Sequence, residues 1–233
     1  VFKSNQLKAR RASWIKLAHL PQHLIGWELS DCKAVSEEDM EDVKFWIKRL
    51  KNKEVIRSQG TGLSGFCGKG LMFYGTPGQG KTTLALAVLQ EIIRTFNLEE
   101  LDVRDGNTLV RPCFFTTFNE ILNIKGALIS NSATDDQEVI YNGILGVCEQ
   151  DSFNIRVLVI DDIGKEHASL SGWQKNLLHE VLRTRFNNGL PTIVTTNIKL
   201  EDWAALYGDA TESFANEAFI YIPIFSDKGD LRK

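Results

Sequence analysis

Nothing in the 233 residues approaches a membrane span: the longest clean apolar runs resemble Val157-Leu-Val-Ile160. A bilayer needs roughly 20 such residues, so a transmembrane helix is excluded. Cysteine is scarce and dispersed. Cys32, Cys67, Cys113 and Cys148 stand singly, with no C-x-x-C pair and no histidine at ligand spacing. That pattern argues against a zinc knuckle or a disulfide scaffold and reads as reduced thiols packed as small apolar residues. No secretory signal, internal repeat or low-complexity segment is found, and a cytoplasmic protein is expected. An excess of one charge is missing too, since 27 Lys and Arg face 30 Asp and Glu, a net −3. What is there, 43% apolar and 24% charged residues, is the composition of a soluble globular protein with a sizeable core. The chain opens on Val1 rather than Met, which reads as a fragment or a trimmed chain and leaves room for a preceding domain.

Charge is nonetheless uneven. Residues 1–20 carry Lys3, Lys8, Arg10, Arg11 and Lys16 and no acid. One reading is an arm for nucleic acid in which Trp14 stacks on a base; the other, slightly favoured, is a solvated helix or linker whose apolar residues cover the domain. The expected division is a basic arm or linker over 1–35, the remnant of a preceding domain, followed by one larger domain over 36–233. Ser36 before Glu37, Glu38 and Asp39 caps a helix that closes on Lys48, Arg49, Lys51 and Lys53, with Met40, Val43, Ile47 and Leu50 on its apolar face.

Eight of the 18 glycines then fall between Gly60 and Gly80, around the strand Leu71-Met-Phe-Tyr74. Beyond them helices and strands alternate. A helix is predicted over 81–96, a turn at Asp105-Gly106, a strand over 113–116 and a helix over 118–128. Thr134 with Gln137 reads as a capping box opening a helix to about Cys148. A strand follows over 156–160. Ser171 with Gln174 opens another helix, which Asn188-Gly189 ends. The last elements are a strand over 191–196, a short helix over 200–207 and a strand over 219–224. Such alternation implies a parallel sheet covered on both faces.

The chemistry begins at Gly75-Thr-Pro-Gly-Gln-Gly-Lys81-Thr82, a complete G-x-x-x-x-G-K-T between a predicted strand and a predicted helix. Glycines let backbone N–H groups turn inward around phosphates, the helix N-terminus adds partial positive charge, and Lys81 reaches the outer phosphates. Gly75, Thr76, Pro77, Gly78, Gln79, Gly80, Lys81, Thr82 and Thr83 form the expected nucleotide-binding set, with Thr82 on a magnesium ion. Val157-Leu-Val-Ile-Asp161-Asp162 supplies the acids such a site needs: Asp161 for the metal, Asp162 either to orient and deprotonate water or to cap a helix. Asn197 ends a buried strand in Thr-Thr-Asn, where it either touches γ-phosphate and water or serves as a turn residue.

Together Gly75–Thr82, Asp161-Asp162-Ile-Gly164-Lys-Glu166 and Arg185-Phe-Asn-Asn-Gly-Leu-Pro191 leading into Thr195-Thr-Asn197 resemble the DnaC/DnaI/IstB branch of the AAA+ ATPases. That branch comprises bacterial and phage helicase loaders and related transposition ATPases. The resemblance runs from about Leu20 to Arg232 and includes Leu71–Gly75 and Phe114–Phe118 as its first two strands. It implies an α/β P-loop NTPase fold of the AAA+ type, a five-stranded parallel sheet with helices on both faces. It implies ATP and Mg2+ as cofactors, Lys81 and Thr82 as Walker A, Asp161 and Asp162 as Walker B, and Asn197 as sensor I, with Lys81, Asp162 and Asn197 catalytic. A DnaB-type replicative helicase and single-stranded DNA are the implied partners, in a homo-oligomer or a helicase-bound ring or spiral, with no membrane contact. The branch usually carries an arginine finger in a Ser-Arg-Leu-like stretch where this chain has Ser213-Phe214-Ala215. Hydrolysis is therefore expected to be weak unless Arg183 or Arg185, which otherwise read as surface charges, substitutes; Arg232 is a candidate sensor II residue. The alternatives are an IstB-like transposition ATPase, a weakly hydrolysing adaptor that works as a clamp, and, last, a small-molecule kinase.

Overall fold

Runs of apolar residues with alternating destinations build the centre of the molecule. In the computed structural model, which describes residues 2–56, 65–101, 109–164 and 172–225, strands β1 (Gly70–Tyr74), β2 (Cys113–Thr117), β3 (Val157–Ile163), β4 (Thr192–Thr196) and β5 (Phe219–Pro223) form one sheet in the order β2-β3-β4-β1-β5. Every pairing is parallel. Successive side chains leave a strand on opposite faces, so a sheet covered on both sides reads as a continuous apolar run. Leu71, Phe73, Phe115, Val157, Val159 and Ile193 join one core, with helices α1 (Phe2–Leu17), α2 (Glu37–Lys51) and α3 (Lys81–Thr95). Met72, Phe114, Leu158, Ile160 and Val194 join the other. That second core is closed by α4 (Phe118–Ile129), α5 (Asp135–Leu145), α6 (Gly172–Asn187), α7 (Trp203–Tyr207) and α8 (Asp209–Ala218). Among the described residues no helix is long and apolar enough to cross a membrane.

Local signals set several boundaries. The Ser36 hydroxyl accepts from Asp39 N at 3.0 Å and opens α2, whose fully buried residues are Val43, Trp46 and Leu50, with Met40 and Ile47 partly covered. Thr134 and Gln137 form a reciprocal capping box, and α5 stops at Leu145, short of Cys148, because Gly146 turns left-handed at φ +73°. The helix expected over 200–207 is a single 3-10 turn, Leu200–Asp202, followed by α7, and α8 comes in addition. Gly60, the Asp105-Gly106 turn, Lys165, Glu166, the Ser171 cap and Arg232 lie outside the described residues.

Burial decides between the readings left open for two residues, and for Trp14 it bears out the favoured one, in which apolar residues of the arm cover the domain. Trp14 does not face a base: it is buried among the residues over α3, and its indole N–H donates to Leu109 O at 2.9 Å. Just beyond α1, Ala18 O accepts from Phe115 N at 2.9 Å along the outer side of β2, and the His19 ring stacks on Phe114. Arg185 is neither a surface charge nor a finger. It is fully buried, and its guanidinium donates to Thr192 Oγ1 and to the carbonyls of Ile144, Ile155, Arg156 and Pro191. Five acceptors satisfy a cation that burial would otherwise penalise heavily. They tie the end of α6 to α5 and to the starts of β3 and β4, at the sheet edge opposite the loop that follows β1.

Candidate active site

β1 ends at Tyr74, and after six intervening residues α3 starts at Lys81. Gly75 has no room for a side chain, because a Cβ would lie 2.2 Å from Ile224 O, where the chain leaving β5 crosses the loop. Gly80 caps α3 at φ +85°, a conformation open to glycine and strained for other residues. The loop thus delivers the unpaired amides of a 15-residue helix to one point, together with the helix dipole. Lys81 is buried there, and its ammonium donates to Gly75 O at 2.9 Å and Thr76 O at 2.8 Å.

The acids meet the loop across the sheet. The Thr82 hydroxyl lies 2.9 and 3.1 Å from the two oxygens of the buried Asp161 carboxylate. A register irregularity between Ile160 and Ile163 bulges β3, and within it Asp162 takes φ +60°, uncommon for a non-glycine residue. Thr195, fully buried in the neighbouring β4, fixes both acids: its hydroxyl accepts from Asp162 N at 2.9 Å and donates to Asp161 Oδ1 at 2.6 Å. No motif rule singles out Thr195 for this part. Asp162 sits in a strand bulge and caps no described helix. One strand end over, the Asn197 amide oxygen is buried without a hydrogen-bond partner.

A cavity of about 440 Å³ joins these groups. Pro77 to Thr83, Asp162 and Asn197 line one side; Gly75 and Thr76 stand behind it as partners of Lys81, and Asp161 behind Thr82. The facing wall comes from a region with no recognisable motif: His23, Leu24, Trp27 and the run Asp31 to Val35. Burial, and secondarily the Asp31 carboxylate, push the Cys32 thiol up to about 11, so it stays protonated at neutral pH. The cavity therefore joins a cationic, amide-rich end to a wall with aromatic and aliphatic groups. The paired hydroxyl and carboxylate of Thr82 and Asp161 are hard oxygen donors of the kind Mg2+ takes.

Phe214, at the position expected to hold an arginine finger, is turned inward. It is buried edge-on against Phe186 and His179, with ring centroids 5.4 and 5.8 Å apart, and the Arg183 guanidinium lies 5.4 Å from its ring centre.

The family model described as IstB-like ATP binding protein matches residues 135–216, a stretch that includes Asp161, Asp162 and Asn197. The crystal structure of the DnaC helicase loader is 25% identical with a TM-score of 0.57, over 88% of this chain and 99% of that one. Residues 135–216 are thus similar to the IstB-like ATP-binding family, and the parallel five-stranded sheet with its helices has the P-loop AAA+ fold seen in DnaC. DnaI matches this chain at 20% identity and a TM-score of 0.58, over 88% of its length and 95% of the other. AMPPCP-bound DnaA from Aquifex aeolicus matches at 14% identity and a TM-score of 0.56, over 89% of this chain and 52% of that protein. These two likenesses show the fold alone. No curated protein matches the chain.

Proposed function

We propose that this protein is a magnesium-dependent ATPase that helps place a replicative helicase on single-stranded DNA and is released on ATP turnover. The observation that carries the reading is the convergence on one cavity of Lys81, the Thr82–Asp161 pair, Asp162 and Asn197. The loader assignment draws on the DnaC likeness, which spans 99% of the chain in that crystal structure.

In this reading the amides of Gly78 to Lys81 and the Lys81 ammonium hold the β- and γ-phosphates. Thr82 and Asp161 hold Mg2+, and their oxygens, within 3.1 Å of each other, fit it; when bound, the ion neutralises charge on the phosphate oxygens. Asp162, aimed by the bulge and the Thr195 hydroxyl, takes the proton of the attacking water. The Asn197 amide orients that water against the γ-phosphate, which gives its buried oxygen a partner. The base and ribose lie against the wall from His23 to Val35.

With Phe214 in the core and Arg185 locked to carbonyls, neither is free to complete a neighbour's site, and Arg183, exposed on α6, is the remaining candidate. Hydrolysis by the chain alone is slow, since such a finger is worth ~10³–10⁵-fold in other P-loop NTPases. Steady-state ATPase rates across a concentration series, for the parent and Arg183→Ala, test this; strong self-stimulation that survives the substitution removes Arg183 from the mechanism. Lys8 and Lys16, exposed on α1, remain available to a DNA backbone, whose binding weakens with salt. The decisive experiment is capture with ATP and Mg2+. A hexameric helicase on the bait supports the loader, whereas a transposase supports the second reading, a transposition ATPase, which the IstB-like match favours.

A further inference from the structure

Gln90 is a polar residue in an apolar place. It lies in the middle of α3, only 2% exposed, among Leu86, Val88, Leu89, Ile92 and Ile93, all fully buried. A buried amide is destabilising unless its donors and acceptor are used. Gln90 uses them on a segment 64 to 66 residues earlier in the chain. Its side-chain oxygen accepts from Gly26 N at 2.7 Å, and its NH2 donates to Leu24 O at 3.0 Å and to Leu86 O at 3.2 Å. One turn further along the same helix face, the Arg94 guanidinium donates to the Glu28 carboxylate at 2.7 Å. Gly26 fits this arrangement. Open space surrounds its missing Cβ, so glycine is needed there for its φ of +94°, the conformation in which its N–H meets Gln90.

The clamped segment carries part of the cavity wall. Leu24 and Trp27, on either side of Gly26, line it. Apolar burial holds this segment only in part: Leu24 and Leu29 pack against the core, whereas Ile25 is 40% and Trp27 38% exposed. Its polar anchors therefore weigh heavily in its placement. The anchors stand on the helix that begins at Lys81, so α3 works as a ruler: nine residues at about 1.5 Å each set the wall about 13.5 Å along the axis from the lysine.

We infer that Gln90 is a positioning residue that fixes the distance between the phosphate-holding loop and the wall that receives the base. The inference rests on the proposal that the cavity binds ATP. It deepens that proposal by separating two affinities, one for the triphosphate and one for the rest of the nucleotide.

Calorimetric titration with Mg·ATP and with Mg·tripolyphosphate tests it. Gln90→Met keeps the volume and removes both bonds to the segment, and its ATP affinity is expected to fall about tenfold with tripolyphosphate affinity unchanged, the effect of two modest hydrogen bonds. Arg94→Ala, at a partly exposed site, is expected to shift the same ratio by about threefold, and it carries the test if Gln90→Met does not fold. Unchanged ATP affinity in a folded Gln90→Met overturns the inference, as does an equal loss for both ligands, which is the mark of general destabilisation. A parent protein that binds neither ligand refutes the ATP-binding proposal itself; a parent that binds both, with no change in their ratio in either variant, refutes only the role of Gln90.

Discussion

On the loop side of the cavity, the buried Lys81, Asp161 and Thr195 and the half-buried Thr82 hold one another or the backbone through short bonds. On the facing side, residues 23–35 stay largely half exposed and hang on α3 by Gln90 and Arg94. The first wall is preorganised. Its loop joins a strand and a helix directly, its acids stand on hydrogen-bonded strands of the same sheet, and little of it must be ordered when a ligand arrives. The second lies outside the sheet and is tied to α3 by a few side chains, so its position can change without disturbing the sheet. In the proposed function, phosphate binding and chemistry belong to the rigid wall, and discrimination between ligands that share a triphosphate belongs to the adjustable one.

Four substitutions or modifications separate the two walls, and the largest effect falls on the rigid one. Asp162→Asn keeps the shape of the bulge and removes the base, so single-turnover hydrolysis is expected to drop ~10²–10⁴-fold with ATP still bound. Hydrolysis at the parent rate would show that Asp162 is not the proton acceptor. Lys81→Ala removes the main side-chain partner of the phosphates; calorimetry is expected to give about 100-fold weaker binding of ATP and of tripolyphosphate alike, with an unchanged circular dichroism spectrum. On the other wall, Trp27→Ala is expected to weaken ATP about fivefold, as the loss of one aromatic contact does, and to leave tripolyphosphate unaffected. If both ligands weaken equally, the two walls do not divide the labour. Cys32 gives the smallest signal. With its thiol at about 11, the thiolate fraction grows tenfold per pH unit below that value. Peptide-mapped alkylation at Cys32 is therefore expected to be slow at pH 7, faster by a factor of about ten at pH 8, and suppressed by Mg·ATP at either pH.

Legibility in the sequence follows the same division. The run from β1 through Gly75–Thr82 into α3 is readable because strand, turn and helix are each encoded within a few residues, as is the Thr134–Gln137 capping box. Readings stay open or fail where the deciding partner is remote. Two readings of Trp14 stand until Leu109, 95 residues away, accepts its indole N–H, and Arg185 reads as a surface charge or a finger until Ile144, 41 residues away, and four further acceptors enclose it. The wall from His23 to Val35 carries no motif, since side chains of mixed type suffice for it. Thr195 sits inside a recognised Thr-Thr-Asn, yet its part appears only once the β3 bulge turns Asp162 N toward its hydroxyl. The helix α8 was open to detection: its buried residues, Thr211, Phe214, Ala215 and Ala218, repeat at helical spacing within an otherwise polar stretch.

The bond from Phe115 N to Ala18 O bears on how this protein can be shortened. β2 is the last strand on its side of the sheet, and the turn after α1 occupies part of its rim, with His19 Nδ1 donating to Phe115 O at 3.2 Å as well. Proteolysis or truncation that removes the first 20 residues would take away Trp14 and leave an adhesive strand. Preparations trimmed to the motif-bearing region should therefore precipitate or pair edge to edge.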